Sequence, residues 1–268
     1  MSSRAARSTW SWAIPRGSMW DIKEQEWFAS RSPEIANAMN AAARKRMIDA
    51  LRETEDALHR EFIGALRKVD AENHLARSSD RFPLCARGRI NTYALFAEHY
   101  LAIVAPTGAV GCILPAGIAT DDTTKLFFQM LVKSRTLSAL FHFENEERLF
   151  VGVNNMSRFV LLTAGGVSRT VEAPDIVAFA RSAQAIGEPI RRYCLTADEF
   201  EAINPNTMTF PTFLSRRDAD INLAIYRRAG VLWREVDPDG NPWGLRFMQG
   251  IFNMASDSGL FRTRAQME

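Results

Sequence analysis

Cysteine and histidine are scarce in this sequence. Its 268 residues include three cysteines, Cys85, Cys112 and Cys194, which are far apart, odd in number and never arranged as a CxxC pair. The four histidines show no ligand spacing either. These counts exclude a disulfide framework and a zinc site of the usual spacing, and they fit a reduced, cytoplasmic protein. We therefore predict no metal site and a cytoplasmic location.

The sequence also lacks long apolar runs and a strong net charge. No run approaches the ~18 residues that a membrane-spanning helix needs, so we expect no membrane contact. The net charge of +2 is too small to predict nucleic-acid binding by itself. The first residues are rich in Arg and Ser and contain no acid. That composition is typical of a transit peptide, but it has no amphipathic period, and we interpret residues 1–20 as an irregular, disordered or truncated leader.

Residues 21–80 are predicted to form a helical segment. Ser32-Pro33-Glu34 combines a capping hydroxyl, a proline for the first helical position and an acid in the first turn. Asn40 can cap a second helix that continues to Val69, in which apolar residues recur at three- to four-residue steps or their multiples. These residues are Met47, Leu51, Leu58, Phe62 and Leu66. The charges of this helix indicate a solvated face.

Residues 81–166 carry the clearest pattern. A helix that opens at Asn91 has one continuous apolar stripe, which includes Phe96, and Pro106-Thr107-Gly108 ends it. Val110 to Leu114 is a short apolar run bounded by glycine and proline, which is typical of a fully buried strand.

A helix, a second strand and a hairpin follow. Thr120-Asp121-Asp122 can cap the helix, and Leu137 to Phe143 alternates as a strand does. The order strand, helix, strand predicts a parallel crossover. No helical period separates Phe143 from the next strand, Phe159 to Thr163, so we expect an antiparallel pair. The predicted fold class is α/β, an incomplete Rossmann-like sheet of parallel strands ending in an antiparallel hairpin, with an N-terminal helical insertion.

The motifs in this region resemble those of the large bacterial restriction–modification methylases, of the type II, methylase–nuclease kind. The matching residues are, in order, Asn91-Thr92-Tyr93-Ala94-Leu95-Phe96, Gly108, Cys112-Ile113-Leu114-Pro115, Phe143-Glu144-Asn145 and Leu149-Phe150. Further segments look like one branch of that family: Ser32-Pro33-Glu34-Ile35, residues 41–48, residues 120–125, Asn204-Pro205-Asn206-Thr207 and Asn241-Pro242-Trp243-Gly244. The resemblance runs from about Met19 to Thr263. It implies transfer of a methyl group from S-adenosylmethionine to the exocyclic amine of adenine in double-stranded DNA.

The resemblance also shows what this sequence does not contain. Such enzymes hold the target amine with an Asn-Pro-Pro-aromatic loop, and this chain reads Ile14-Pro15-Arg16-Gly17-Ser18-Met19-Trp20-Asp21 at that point. Trp20 is interpreted as the remnant of the aromatic position. At this point the chain lacks the asparagine and the two consecutive prolines of that loop, and the sequence has no Gly-rich cofactor loop. The groups that position the reactants and stabilise the transition state electrostatically are therefore missing.

The resemblance assigns the remaining wall of the site. Asn91 and Phe96 would line the adenosine end of the cofactor pocket, and Pro115 would end the strand beneath the active site. Phe150 would stack on the extruded adenine. Each has a structural alternative that the sequence leaves open. Asn91 can be a helix cap, Phe96 a core residue and Pro115 a strand terminator.

The last hundred residues, 167–268, would be a connector leading into a DNA target-recognition region. Arg216 and Arg217 lie on a basic amphipathic helix predicted for Ser215 to Ala229, and Arg246 adjoins aromatic residues. Arginines of this kind suit phosphate contacts and guanine readout. A solvated helix face is the alternative interpretation.

Three functional hypotheses remain open at this point. The first is a fragment of an adenine-specific DNA methyltransferase of a restriction or phage-defence system, inactive alone. It is either a remnant or one half of a split enzyme whose second polypeptide brings the cofactor loop. The second is a non-catalytic DNA-binding specificity module. The third is an unrelated Rossmann-like protein that shares only the fold.

Overall fold

The computed structural model describes residues 20–248, 250 and 260–267, and residues 10–13 as backbone only. The chain divides into two compact units, Met1–Gly230 and Val231–Glu268, and each is described by itself. Residues 1–9 and 14–19 of the predicted leader lie outside the described residues. The predicted boundaries after residues 20, 80 and 166 stay predictions.

A six-stranded mixed sheet organises the first unit. Its strands are β1 (Trp10–Ala13), β2 (Ala109–Pro115), β3 (Leu137–Glu144), β4 (Arg158–Gly165), β5 (Asp175–Ala180) and β6 (Tyr193–Cys194), in the spatial order β1-β2-β4-β3-β5-β6. β1 pairs parallel with β2, and β3 pairs parallel with β5, whereas β4 is antiparallel to both β2 and β3. Strands β1, β2, β3 and β5 therefore run in one direction, and their carboxyl ends share one edge of the sheet. The α/β class is confirmed.

Two details differ from the sequence-based expectation. The β3–β4 hairpin forms as predicted, but β4 lies between β2 and β3 inside the sheet instead of at its end. Residues 10–13, predicted to be irregular, form β1 at the edge of the sheet. Both differences arise from long-range pairing, which local residue patterns do not encode.

The helices are α1 (Glu24–Phe28), α2 (Pro33–Ala36), α3 (Ala41–Thr54), α4 (Asp56–Ser78), α5 (Thr92–Ile103), α6 (Gly117–Thr120), α7 (Lys125–Lys133), α8 (Ala197–Ile203), α9 (Arg216–Ala229) and, in the second unit, α10 (Arg264–Met267). Within the described residues, none of them combines the length and the apolar character needed to cross a bilayer.

The main core lies on one face of the sheet. Along β4 the buried residues Val160 and Leu162 alternate with the half-buried residues Phe159 and Leu161, so the two faces are covered unequally. The buried face packs against α5, α7 and α8, and Phe128 of α7 meets a ring of α8 edge-on. The other face has a smaller cluster built on β3, β5 and a turn of 3₁₀ helix at Ala183–Gly187.

Helices α1 to α4 pack around a separate cluster that includes Phe28 and Phe62. Asn40 caps α3 as expected, because its side chain accepts a hydrogen bond from the Ala43 N–H at 2.8 Å. The helix predicted to run from there to Val69 is wrong, since the chain leaves the helical conformation at Glu55 and α4 begins anew. Neither proline nor glycine marks this break.

Replacing a core leucine is expected to destabilise the first unit. Leu140 is fully buried in β3, so Leu140→Ala leaves a cavity and should lower the free energy of unfolding by about 2–5 kcal/mol. Urea unfolding followed by circular dichroism measures this loss. Leu75→Ala is the matched control, because Leu75 is exposed on α4 and its truncation should change stability by less than about 0.5 kcal/mol. Equal losses in both variants would contradict the assigned core.

Candidate functional site

Pro115 and Phe150 both neighbour Phe159 at the carboxyl edge of the parallel strands. Pro115 is the last residue of β2 and is paired with Phe159 of β4. The Phe150 and Phe159 rings form a T-shaped pair, with 4.9 Å between the ring centroids. Phe159 also stacks on Phe143 of β3, at 5.0 Å. Two residues that the sequence singled out from separate motifs are therefore brought to one cluster.

A single buried side chain holds the loop that carries Phe150. Asn145 is 0% exposed, and its Oδ1 accepts the Phe150 N–H at 2.9 Å. Its Nδ2 lies 3.0, 3.1 and 3.3 Å from the carbonyl oxygens of Phe150, Val153 and Asn154, which share its two N–H donors. The Phe150 ring is half-buried, while the next residue, Val151, is exposed. The loop backbone thus has one arrangement, and part of the ring remains accessible.

Trp20 and Phe96 line a common pocket. The pocket has a volume of 560 Å³ and its walls are mainly apolar. The other lining residues are Arg81, Phe82, Thr92, Leu95, His99 and Ala102. The Trp20 backbone is held in place, because its N–H donates to the Ile90 carbonyl at 3.3 Å and its carbonyl accepts from the Asn73 side chain at 2.8 Å.

Phe96 lies at the solvent edge of α5. Its side chain is 45% exposed and stacks on Tyr100 with 6.2 Å between centroids, while Tyr93 and Ala97 are buried. The ring therefore forms a pocket wall and is not a core residue. Its role as a cofactor contact stays a prediction.

Asn91 caps α5 and does not line this pocket. Its side-chain oxygen accepts the Tyr93 N–H at 3.4 Å. The start of α5 lies against the turn after β2. A Cβ on Gly117 would come within 2.4 Å of the Asp121 carboxylate and 3.1 Å of the Tyr93 hydroxyl. Burial, with the nearby charge of Asp121, raises the pKa of Tyr93 to about 12, so its phenol stays protonated at neutral pH.

Sequence reasoning missed three residues at these two places. His99 lies one turn beyond Phe96 on α5, and this spacing could have indicated it. Arg81 has no periodic signal. Asn145 stood in the Phe143-Glu144-Asn145 motif, but hydrogen bonds to a loop cannot be seen in a spacing pattern.

A strained bulge adjoins the same edge of the sheet. Phe179 of β5 has a left-handed backbone with φ of 56° where β5 carries an extra residue against β3. Its N–H donates to Nδ1 of His142 at 3.3 Å. His142 is 2% exposed. Burial, together with the positive charge of Arg158, lowers its pKa to about 4, so it is neutral at physiological pH.

Arg216 and Arg217 begin α9 in different surroundings. The Arg216 guanidinium contacts Glu199 at 2.8 Å, Asp220 at 2.8 Å and the Cys194 carbonyl at 2.6 Å. Burial acts to raise the pKa of Glu199, but hydrogen bonds from Arg216 and a backbone N–H outweigh it, and the pKa lies below its usual value. Arg217 is exposed and forms no ion pair with another residue that the structure describes. Arg217 is therefore the more accessible of the two to a phosphate.

Arg246 belongs to the second unit. There Asn241 exchanges two hydrogen bonds of 2.8 Å with the backbone of Leu245, and the rings of Trp233 and Phe247 stack at 5.8 Å. Arg246 lies between these contacts in the sequence, and its side chain is exposed. Its predicted DNA contact stays a prediction.

Comparison with known proteins gives partial similarities of structure. No family model matches the chain, and no curated protein matches it significantly. A solved structure of the type IIG restriction endonuclease BpuSI is similar over 60% of this chain and 18% of its own, at 15% identity and a TM-score of 0.33. The methyltransferase subunit of a type I restriction-modification system from Streptococcus thermophilus is similar over 53% of this chain and 34% of its own, at 11% identity and a TM-score of 0.40.

The chain therefore spans about a fifth and a third of the lengths of these two proteins. Neither similarity bears on the chemistry of the site, because fold likeness at this level does not transfer function.

Protonation of His142 is expected to destabilise the fold in acid. Its pKa is about 4 in the folded chain against an ordinary value of 6.5. The unfolded chain therefore takes up the proton first, and stability falls as the pH drops from about 6.5 towards 4, by up to about 3 kcal/mol. His142→Gln keeps an acceptor for the Phe179 N–H but does not titrate.

Chemical unfolding at a series of pH values measures the difference between the two proteins. The wild type should lose more stability than His142→Gln between pH 7 and pH 4. Parallel profiles would show that His142 does not carry the effect.

Proposed function

We propose that this chain is part of an adenine-specific DNA methyltransferase of a restriction-modification or phage-defence system, with S-adenosylmethionine as methyl donor. The observation that carries the proposal is the meeting of separate motifs at one end of the sheet. Pro115 and Phe150 flank Phe159 there, and Trp20 is tied to the segment that starts α5. In open α/β sheets, ligands bind outside the carboxyl ends of the parallel strands.

The pocket of Trp20 and Phe96 suits the adenine ring of the cofactor. A volume of 560 Å³ with mainly apolar and aromatic walls is typical of a site for a flat, hydrophobic group. Phe96 is 45% exposed and so available for stacking, and His99 is a polar residue of the lining. The cofactor, when bound, supplies an electrophilic methyl group. The described pocket residues account for binding its adenine end only.

Phe150 would bind the target adenine after its extrusion from the duplex. An aromatic face recovers about 1–3 kcal/mol per stacked base. The Phe150 and Phe159 rings are nearly perpendicular, at 80°, so this contact can cover at most one face of Phe150. In this proposal Phe150 orients the base, and it takes no part in proton transfer.

Methyl transfer also needs groups that this sequence does not contain. Neither an Asn-Pro-Pro loop nor a Gly-rich cofactor loop is present in it. In this proposal both loops come from outside the given sequence, as in a split enzyme whose second polypeptide supplies them, and the chain is inactive without them. Among the residues that the structure describes, β1 is the last strand of the sheet and pairs with β2, so a further strand can add on its other side.

A second candidate is a non-catalytic DNA-binding specificity module. It is favoured by the exposed positions of Arg217 in the first unit and Arg246 in the second. The two candidates differ in the pocket of Trp20 and Phe96, which only the methyltransferase requires.

Binding of the cofactor's adenine ring by the chain alone tests the proposal. In saturation-transfer NMR with S-adenosylmethionine, we expect transfer mainly to the adenine protons, because the described pocket holds that end. Phe96→Ala should remove about 1–3 kcal/mol of stacking and abolish most of the signal.

Ile103→Ala is the matched control. Ile103 is an apolar residue on the same helix, 49% exposed against 45% for Phe96, and does not line the pocket. An adenine signal that survives Phe96→Ala, or that Ile103→Ala removes equally, would count against this cofactor site.

Arg217 and Arg216 are expected to respond differently to neutralisation. Arg217→Gln should weaken duplex binding and reduce the slope of log affinity against log salt by about 1, at an unchanged melting temperature. Arg216→Gln should instead lower the free energy of unfolding by about 1–3 kcal/mol, because Glu199 loses its closer ionic partner and keeps Arg227 at 4.0 Å. Fluorescence anisotropy at several salt concentrations and thermal melting measure the two effects. An unchanged salt slope in Arg217→Gln would remove this residue from the DNA interface.

A further inference from the structure

We propose that Asn145 is a positioning residue that fixes the Phe150 ring for contact with the extruded base. This inference rests on the proposed function of Phe150. Asn145 does not itself touch the base. It acts through four hydrogen bonds, one to the Phe150 N–H and three to carbonyls of the loop.

All four bonds lead to the loop that presents the ring. They bind residue 150 on both its N–H and its carbonyl, and they bind residues 153 and 154 beyond it. Because Asn145 is 0% exposed, removing its amide would take a buried donor away from these three carbonyls. The side chain therefore acts as the internal scaffold of the loop.

The loop also holds a backbone conformation that needs such support. Arg148 has a φ of 55°, the left-handed region that glycine adopts more readily. A non-glycine residue in this conformation costs on the order of 1 kcal/mol or more of folding free energy. It persists only where surrounding contacts hold the backbone in place. Arg148 lies between Asn145 and Phe150, so the bonds of Asn145 close the segment that contains it.

Ion pairs restrain the base of the same loop. Glu144 contacts Arg158 at 3.5 Å and Arg181 at 3.3 Å, and Arg181 reaches Glu146 at 3.0 Å. Their side chains are partly exposed, so each pair contributes little alone. Together they join the two ends of the hairpin to β5.

The loop is longer and more apolar than its role as a connection requires. Hairpins commonly turn in two to five residues, whereas β3 ends at Glu144 and β4 begins at Arg158. Leu149, Val151, Val153 and Met156 are exposed in between. Such a loop, with its half-buried aromatic ring, is preorganised for a ligand. The conformational entropy of ordering the loop is lost on folding and not on binding.

Binding of a single-stranded oligodeoxynucleotide of mixed sequence that contains 2-aminopurine tests this role. Stacking on Phe150 should quench the fluorescence of the base analogue. Phe150→Ala should weaken binding about 5- to 150-fold. Asn145→Ala should lose most of the quenching at saturating oligonucleotide, although Phe150 is still present.

Asn204→Ala is the matched control, since Asn204 also donates its side-chain amide to a carbonyl five residues onward, that of Thr209, at 2.9 Å. It should keep the quenching. Hydrogen exchange without DNA supplies an independent measurement, and the Phe150 amide should exchange at least about tenfold faster in Asn145→Ala, since its acceptor is removed. Arg181→Gln replaces Asn145→Ala if that variant does not fold. It removes the ion pairs of Arg181 with Glu144 and Glu146 at the base of the loop, and it should reduce the quenching by less than is expected for Asn145→Ala.

The outcomes separate the two levels of inference. Wild type without quenching, or Phe150→Ala equal to wild type, would overturn the base-stacking function. Loss in Phe150→Ala with quenching and amide protection retained in Asn145→Ala would overturn the positioning role and leave the function standing. Equal loss of quenching in Asn204→Ala would assign the effect to general stability and would also overturn the positioning role.

Discussion

Strand β4 is the element on which the rest of the first unit depends. It pairs with β2 on one side and with β3 on the other, so it sets the register between two strands that do not pair with each other. Phe159 is paired with Pro115 in one direction and with Phe143 in the other. The two strands therefore end at the same level, and the loops that follow them open at one edge. A slip of one residue in this register would turn every side chain of β4 to the opposite face.

The same register explains why the aromatic cluster sits on the less covered face. Phe143, Phe159 and the loop residue Phe150 pack against one another where the helices of the main core do not reach. Aromatic rings in edge-on and stacked pairs retain favourable contacts without full burial. The cluster can therefore be ordered and still leave part of a ring accessible, which a core residue could not do.

Much of this arrangement could be predicted from the sequence. The remainder depends on contacts between residues that are far apart along the chain. The apolar runs of β2, β3 and β4 and the caps at Asn40 and Asn91 are local signals, and the structure contains these elements. The insertion of β4 between its partners is decided by pairing over long separations, and so is the ion pair of Arg216 with Glu199.

The candidate site follows the same rule. Trp20 and Phe96 share a pocket because Trp20 is hydrogen-bonded to Ile90, a contact that no periodic pattern indicates. Phe96 follows the apolar stripe of its helix but lies at the edge of that stripe, where exposure depends on which elements cover it. Burial at such an edge position is set by tertiary packing. The sequence therefore indicated that Phe96 is important, but it could not predict whether the residue lies in the core or in a pocket wall.

In the proposed function, the chain separates recognition from catalysis. Its aromatic sites would bind the flat ring systems of the cofactor and of the target base, and each stack stabilises the ground state and the transition state alike. Binding of that kind raises affinity but does not lower the barrier of the chemical step. The barrier falls only through groups that bind the reacting amine more tightly in the transition state, and one such hydrogen-bond partner is typically worth about 3–4 kcal/mol. Because the Asn-Pro-Pro loop is not in this sequence, the catalytic groups would have to be supplied from outside it, at the carboxyl ends of the strands beside Pro115 and Phe150.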